Sequence, residues 1–302
     1  MKKIFIAGHK GMVGSAILRN IPKNNKIYTI DKKKINLLNF EQTYGFFKKN
    51  KFDHVYICAA KVGGILANSK YPADFIYENL QIQNNIIHGS YLAGVKNLFL
   101  LGSSCIYPKF CKQPMKEEYL LTGKLEETND AYSIAKIAGL KMCEYYSKIN
   151  KVNFKSLMPP NLYGPNDNYD LKTSHFYPAL FKKIFMAKKR NLKILKILGT
   201  GKAKRELMFV DDFADAVFFF MNKKIKQPFL NIGTGRDFSI DWYAKFLMKK
   251  FKVKLKIKYD KTKPDGMPRK CLDITAAKKY GWSPSYNFDE AFDVTLKYFQ
   301  KL

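Results

Sequence analysis

Tyr132 and Lys136 stand four residues apart in the segment DAYSIAKIAGLKM, whose apolar spacing predicts a helix over about 130–149. Residues at this spacing project from one face of a helix. A lysine ammonium favours the charged form of a nearby phenol and lowers its pKa, so the tyrosine could exchange a proton with a substrate oxygen. A surface tyrosine beside a solvated lysine is the alternative. Ser103 and Ser104 end a strand-like run, where a hydroxyl could orient the same carbonyl.

Three glycines, Gly8, Gly11 and Gly14, follow the apolar run KIFIA and open an amphipathic stretch. This context is strand, turn and helix, in which glycines permit a tight turn and close approach of the backbone to a pyrophosphate. The N-terminus of the helix then faces the anion. A structural turn gives the same glycine spacing, but the strand and helix around it favour dinucleotide binding.

The residues after the second predicted strand bear on the choice of cofactor. Asp31 lies about twenty residues beyond the glycines, where an acidic side chain would bind the ribose hydroxyls of NAD. Lys32 and Lys33 follow it, and Lys10 lies inside the glycine loop, where each could accommodate the 2′-phosphate of NADP. The basic groups favour NADPH over NADH.

Strand-like and helix-like patterns alternate along the first half of the chain. The apolar runs lie at 3–7, 26–30, 55–60 and 97–104, and helical patterns lie at 39–49 and 74–93. Alternating strands and helices form parallel sheets covered on both faces. The sequence therefore predicts an α/β fold with a doubly wound, Rossmann-like parallel sheet.

The alternation breaks down after Asn161, where prolines accumulate. We expect an NADP-binding Rossmann domain from 1–164 plus 201–235, in which 205–235 returns to the sheet. A smaller α/β substrate lobe is expected from 165–200 plus 236–302, with strand-like runs at 194–198 and 254–259.

Composition limits the other classes of function. The net charge is +29, but lysines scattered along the chain are typical of a solvated surface, and no recognition motif accompanies them, so we expect no nucleic-acid partner. No apolar stretch is long enough for a membrane span. The 5 cysteines are odd in number and lack metal-ligand spacing, so we expect reduced thiols, no metal and a cytoplasmic protein.

Longer blocks of sequence identify a family. GHKGMVGSA, AAKVGGILAN, YPADFIYEN, LGSSCIYPK, YSIAKIAG, NLYGP and KPDGMPRK resemble the GDP-L-fucose synthases of the extended short-chain dehydrogenase/reductase family, and the resemblance runs from residue 3 to the C-terminus. It implies NADPH-dependent reduction of the C4 ketone of a GDP-linked 4-keto sugar. It also implies a homodimer that packs the Tyr132 helix and the 79–93 helix against their symmetry mates.

The resemblance also assigns residues. It implies a reductive triad of Ser103, Tyr132 and Lys136, with Cys105 and His175 moving protons at C3 and C5 of the sugar. The cofactor site would comprise Gly8, Lys10, Gly11, Met12, Val13, Gly14, Asp31, Lys32, Ala59, Ala60, Tyr132, Lys136 and His175. The substrate site would comprise Ser104, Cys105, Asn161, Arg205, Lys263 and Arg269; the guanidinium groups, and Lys270 beside them, suit a diphosphate.

Some positions depart from the family pattern and leave the substrate open. Pro160 and Met267 stand where small hydroxyl residues are usual, and lysines replace the cofactor arginines. The enzyme could epimerise C3 and C5 of GDP-4-keto-6-deoxymannose and then reduce C4. Alternatively, it could be a reductase only, specialised for a related sugar such as a GDP-4-keto-heptose of a capsule. A dinucleotide-binding regulator or polyanion binder is the non-enzyme alternative.

Overall fold

The computed structural model describes residues 1–263 and 265–302, apart from the side chains of residues 65 and 66. The helices are α1 Met12–Asn20, α2 Phe40–Asn50, α3 Ile65–Lys70, α4 Pro72–Leu92, α5 Asp130–Asn150, α6 Phe176–Lys189, α7 Val210–Met221, α8 Ile240–Phe251, α9 Thr275–Lys279 and α10 Phe288–Phe299. The strands are β1 Lys3–Ala7, β2 Lys26–Thr29, β3 His54–Ile57, β4 Asn97–Leu101, β5 Asn153–Met158, β6 Asn161–Tyr163, β7 Ile194–Leu198, β8 Lys204–Phe209, β9 Phe229–Asn231, β10 Asp237–Ser239, β11 Lys256–Asp260 and β12 Arg269–Lys270.

Six of the described strands form a parallel sheet in the order β2-β1-β3-β4-β5-β9. All four residues of β3 and the middle of β4 are buried, as expected for central strands of a sheet covered on both faces. The strand order reverses between β1 and β3, and ligands bind at such a crevice in doubly wound sheets. The predicted fold class is confirmed.

Successive residues of β1 supply the cores on opposite faces of this sheet, because side chains alternate along a strand. Ile4 and Ile6 pack in a core that includes α1 and α7. Phe5 and Ala7 pack on the other side, in a core that includes residues of α2, α4 and α5. The helices α4 and α5 also pack against each other. The two apolar layers therefore cover the sheet on both faces.

The rest of the chain builds smaller sheets around a separate aromatic core. β8 pairs with β6, β10 and β12, and β7 pairs with β11. Tyr163, Phe181, Tyr243 and Phe292 lie in the core beside them. Of the segment 205–235, β9 joins the large sheet as expected, whereas β8 does not. The division into two domains at the expected boundaries stays a prediction.

Most of the elements expected from the sequence are present. The 154–164 run is divided into β5 and β6 because Pro159 and Pro160 interrupt it. Prolines interrupt the hydrogen bonding between strands because they lack the backbone N–H that a strand donates. Within the described residues, none of the helices has the length and apolar character needed to cross a bilayer.

Candidate active site

The glycine turn after β1 is packed too tightly for larger residues. Gly8 has φ +81°, and a Cβ there would lie 2.6 Å from the backbone nitrogen of Ala59. A Cβ on Gly14 would lie 2.7 Å from the carbonyl carbon of Gly8. Gly11 is the N-cap of α1, and within the described chain no side chain caps that end. The turn therefore leaves the first N–H groups of α1 available to a pyrophosphate.

The remaining predicted cofactor residues surround this turn. Lys10 forms an ion pair with Asp31, and their side chains are 73% and 50% exposed, so a ligand can reach both. This pairing lowers the pKa of Asp31 below its ordinary value. Lys32 is exposed as well. Of the apolar members, Val13 is buried, while Met12, Ala59 and Ala60 are partly exposed. The glycine turn and these side chains are compatible with a bound dinucleotide.

Lys136 is buried in the first half of α5, and its ammonium group donates a hydrogen bond of 2.8 Å to the carbonyl of Leu101 at the end of β4. Its nitrogen also lies 5.7 Å from the centre of the Tyr132 ring. Burial lowers the pKa of Lys136 to about 8, although Cys58 opposes this change. Lys136 thus connects the Tyr132 helix to the edge of the sheet beside the glycine turn.

Tyr132 differs from the sequence-based expectation in its ionisation. Burial raises its pKa well above the ordinary value of 10.0, and the neighbouring Cys105 raises it further. The Ser103 hydroxyl is close enough to the Tyr132 oxygen to oppose this rise. Burial is the largest cause of this change, and the nearby Lys136 ammonium group does not offset it. The structure therefore holds a neutral phenol, which is a proton donor.

Ser103 follows β4 and begins a single 3-10 turn, Ser104–Ile106. Its hydroxyl oxygen accepts a hydrogen bond of 3.1 Å from the backbone N–H of Cys105. The hydroxyl hydrogen remains available to a second acceptor, such as the oxygen of a ketone. The turn also buries Ser104, whose N–H donates to the carbonyl of Pro159. The predicted triad of Ser103, Tyr132 and Lys136 is therefore brought together at the end of β4.

Cys105 lies beside this triad and has two nitrogen neighbours. The Lys270 ammonium group is 3.1 Å from its sulfur, and the Asn129 amide nitrogen is 3.4 Å away. Burial alone raises the pKa of the thiol. The charge of Lys270 and the hydrogen bonds from Ser103, Lys270 and Asn129 outweigh this effect and leave the pKa below its ordinary value.

His175 is the N-cap of α6 and belongs to the same cluster. His175 is exposed to solvent, but protein atoms are packed around its imidazole. This crowding lowers the pKa of the imidazole, and the positive charge of Lys270 lowers it further. Lys270 therefore lies near both residues to which the family resemblance gives proton transfer.

The predicted substrate residues do not all lie beside the triad. Arg205 is half-buried and donates to the carbonyls of Met267 and Asp265, at 2.6 and 3.1 Å. The Arg269 guanidinium forms a bidentate ion pair with Asp237, at 2.7 and 2.9 Å. Both arginines are thus committed to protein partners, and their binding of a diphosphate stays a prediction.

Two further residues of this predicted set have different surroundings. Asn161 donates a hydrogen bond of 3.2 Å to the carbonyl of Glu206. Lys263 is exposed on the loop after β11, and its backbone N–H donates to the carbonyl of Asp260. Nothing in these contacts joins Lys263 to the cluster around Cys105. Among the described residues, no group of three or more side chains could hold a metal ion.

Comparison with known proteins assigns the family. A family model described as the NAD dependent epimerase/dehydratase family matches residues 4–233. The chain belongs to this family. The match spans the glycine turn and the triad, and it ends just beyond β9.

Individual relatives cover nearly the whole chain. A GDP-L-fucose synthase from Sinorhizobium fredii (strain NBRC 101917 / NGR234) is 45% identical over 289 residues, which are 95% of this chain and 92% of that protein. The crystal structure of a GDP-6-OMe-4-keto-L-xylo-heptose reductase from C. jejuni is similar with a TM-score of 0.92 and 33% identity, covering 99% of this chain and 98% of that one. A GDP-mannoheptose C4 reductase from Campylobacter jejuni with NADP bound has a TM-score of 0.89 and 34% identity, covering 99% and 98%.

Sequence reasoning missed two contacts in this member of the family. Asn129 stands at the N-cap of α5, where an asparagine side chain usually accepts from the backbone of the first turn. Here its amide donates to Cys105 instead. Lys270 was expected at a diphosphate, yet it reaches the same sulfur. The sequence signal for Asn129 was its position, three residues before Tyr132 at the start of the predicted helix. Lys270 lies 165 residues from Cys105 in the chain, so nothing in the sequence indicated their contact.

Proposed function

We propose that this chain catalyses the NADPH-dependent reduction of the C4 ketone of a GDP-linked 4-keto sugar. The observation that carries the proposal is the neutral Tyr132 phenol beside the Ser103 hydroxyl. Both lie at the carboxyl end of β4, where Lys136 donates a hydrogen bond to the carbonyl of Leu101. The names of the relatives support the GDP-sugar class, since they are a GDP-L-fucose synthase and two GDP-heptose reductases.

The side chains divide the work of the reduction. NADPH, when bound, supplies a hydride to the C4 carbon. The Ser103 and Tyr132 hydroxyls donate hydrogen bonds to the ketone oxygen, and Tyr132 transfers its proton to that oxygen as negative charge develops on it. Lys136 carries its positive charge at neutral pH, because its pKa is about 8. That charge stabilises the phenolate left on Tyr132.

NADPH rather than NADH is the proposed cofactor. The glycine turn fits a pyrophosphate, and the exposed Lys10 and Lys32 are suited to a 2′-phosphate. Asp31 could accept hydrogen bonds from the ribose hydroxyls of NADH, but its ion pair with Lys10 neutralises part of its charge. The proposal is tested by measuring dissociation constants of NADPH and NADH by fluorescence titration. A preference for NADH would contradict it.

Two candidate reactions differ in whether protons are transferred at C3 and C5 of the sugar before C4 is reduced. A C4 ketone acidifies both neighbouring C–H bonds, and the lowered thiol pKa of Cys105 supports removal of such a proton. His175 is the candidate for returning a proton, but its lowered pKa disfavours the imidazolium form at neutral pH. One structural relative is named as a GDP-6-OMe-4-keto-L-xylo-heptose reductase and another as a GDP-mannoheptose C4 reductase. These names support the second candidate, a reductase of a GDP-4-keto-heptose.

One experiment separates the candidates. The protein is incubated with NADPH in deuterated water, with GDP-4-keto-6-deoxymannose or with a GDP-4-keto-heptose, and products are analysed by NMR. Deuterium at C3 or C5 supports epimerisation, and reduction without exchange supports the reductase alone. The Tyr132→Phe variant should bind NADPH normally but not turn over. If neither sugar is reduced, the proposed function is wrong. If Tyr132→Phe stays fully active, Tyr132 is removed from the mechanism.

Two expectations about the assembly and location are also proposals. The outer face of α4 and α5 carries exposed apolar side chains, Tyr77 at 61%, Ile134 at 45% and Tyr145 at 54%. We propose that this face forms the homodimer, because exposed apolar groups on neighbouring helices mark an interaction surface. We also propose a cytoplasmic location, which the 5 free cysteines support.

A further inference from the structure

We propose that Lys270 is a positioning residue that holds Cys105 as a thiolate before any substrate binds. The inference rests on the proposed function only for its catalytic consequence. Lys270 lies on β12, which pairs with β8, and its ammonium nitrogen is 3.1 Å from the Cys105 sulfur. A lysine at this distance from a sulfur forms a charge-assisted hydrogen bond if the thiol is ionised.

The backbone around Lys270 fixes this contact. β12 is paired in parallel with β8 in the register Lys270 with Arg205. The N–H of Leu272 donates a hydrogen bond of 2.7 Å to the fully buried carboxylate of Glu206. The Cys271 N–H donates to the Gln113 side chain at 2.9 Å. Lys270 therefore projects from a segment that is bound on both sides, which keeps its ammonium group near the sulfur.

Asn129 gives a second observation that the sulfur is a built acceptor. An N-cap asparagine normally satisfies an N–H of its own helix, but this one makes no such hydrogen bond in the described structure. Its amide nitrogen lies 3.4 Å from the Cys105 sulfur. Two donors from distant parts of the chain thus converge on one thiol, as expected for a site that stabilises negative charge.

The charged and titratable groups around Cys105 come from several elements. Lys270 on β12 and Arg205 on β8 are cationic, and both favour the thiolate. His175 at the start of α6 lies near Lys270, and Tyr132 on α5 lies near Cys105. A neutral imidazole and a neutral phenol add no opposing charge. Lys270 is therefore the group whose removal should change the ionisation of Cys105 most.

In the proposed reaction, the thiolate acts as the base. It takes a proton from a carbon next to the C4 ketone, so the C–H bond breaks, an S–H bond forms and the electron pair moves to the C4 oxygen as an enolate. The Ser103 and Tyr132 hydroxyls face that oxygen. A charged Lys270 keeps the sulfur unprotonated at neutral pH, when an ordinary thiol would carry its proton.

The test measures the thiol itself in the isolated protein, without cofactor or sugar. Iodoacetamide reacts with the thiolate, and its rate is followed across neutral and alkaline pH by mass spectrometry. The tryptic peptide NLFLLGSSCIYPK contains Cys105 and no other cysteine. The Lys270→Met variant should shift the midpoint of reactivity upward by about one to three pH units. The Lys270→Arg variant keeps the charge and should keep a low midpoint.

Controls separate this role from structural damage and from binding of phosphate. Lys261→Met removes an exposed lysine and should leave the midpoint unchanged. Circular dichroism checks folding, and Lys270→Gln replaces the methionine variant if that one does not fold. An unchanged midpoint in the neutral variant, or an equal shift in Lys270→Arg, would overturn the proposal. GDP affinity is measured on the same variants; a loss of about tenfold or more with an unchanged midpoint would assign Lys270 to the diphosphate instead.

Failure of the proposed function remains distinguishable. If no GDP-4-keto sugar is reduced but the midpoint shifts as expected, Lys270 still stabilises the thiolate and the substrate assignment is wrong. If reduction proceeds and the midpoint does not move, the proposed function stands without this role for Lys270. Where deuterium enters the product, Lys270→Met should slow its entry more than it slows hydride transfer.

Discussion

Replacing Lys136 with methionine should abolish turnover and at the same time remove a penalty on folding. Burial lowers the pKa of Lys136 from its ordinary value of 10.5 to about 8. Below pH 8 the lysine is charged in both the folded and the unfolded chain, and the folded chain bears the cost of burying that charge. The difference of about 2.5 pH units corresponds to about 3 kcal/mol, at about 1.4 kcal/mol per unit.

The sign of the pH dependence follows from this difference. As pH rises from 8 towards 10.5, the folded chain releases its proton before the unfolded chain does. The unfolded state then binds more protons, so the free energy of unfolding rises with pH in this window. Wild type should therefore gain about 2 kcal/mol over Lys136→Met between about pH 7 and about pH 9.5. Denaturant titrations of the cofactor-free protein at both pH values measure this difference.

Lys155 provides a matched control. Burial also lowers the pKa of Lys155 to about 8. Its ammonium group donates a hydrogen bond of 2.7 Å to the carbonyl of Phe220 near the end of α7, and it has no proposed role in the reaction. Lys155→Met should remove the same pH dependence but keep full turnover. Lys136→Met should lose turnover by about 10²- to 10⁴-fold. The reasoning is refuted if Lys136→Met shows the pH dependence of wild type or retains turnover within about tenfold.

Three further predictions concern the cofactor turn and the surface. Gly14→Ala places a methyl group 2.7 Å from the Gly8 carbonyl carbon, so it should lower the free energy of unfolding by about 1–3 kcal/mol and weaken NADPH binding, as denaturant and fluorescence titrations would measure. Asp31→Asn releases Lys10 and should tighten NADPH a few-fold while weakening NADH; equal changes in both dissociation constants would contradict this. Tyr145→Glu places a charge on the exposed face of α5 and should yield a monomer in light scattering, and an unchanged mass would argue against the proposed dimer face.

The sequence carried the parts of the site that are local. Gly8, Gly11 and Gly14 could be interpreted because their spacing and flanking elements determine one backbone geometry. Tyr132 and Lys136 could be interpreted because helical spacing puts them on one face. The ionisation of the Tyr132 phenol could not be predicted from the sequence. It depends on how deeply the ring is buried, and Lys136 donates its hydrogen bond to the carbonyl of Leu101.

Contacts between segments distant in the chain could not be predicted from the sequence. Arg205 and Arg269 suggested a diphosphate by their chemistry alone, yet each is held by protein partners that strand pairing brings near, carbonyls in one case and Asp237 in the other. β8 likewise lies outside the large sheet, and its apolar residues divide between two cores, with Met208 in one and Leu207 and Phe209 in the other. Residue type indicates what a side chain can bind, while the fold decides which partner reaches it.

Tyr132, Lys136 and Cys105 are neighbours, and the fold gives each a different ionisation. Crowding penalises charge on all of them, so it raises the pKa of Tyr132 and lowers that of Lys136. Cys105 alone has a compensating cation at contact distance, and its pKa falls instead. The result is a neutral donor, a cation whose pKa is about 8 and a thiol whose pKa is lowered. His175 is poor in protons at neutral pH for the same reasons. If the chain epimerises, lower pH supplies its imidazolium but removes the Cys105 thiolate, so deuterium incorporation should peak between the two pKa values.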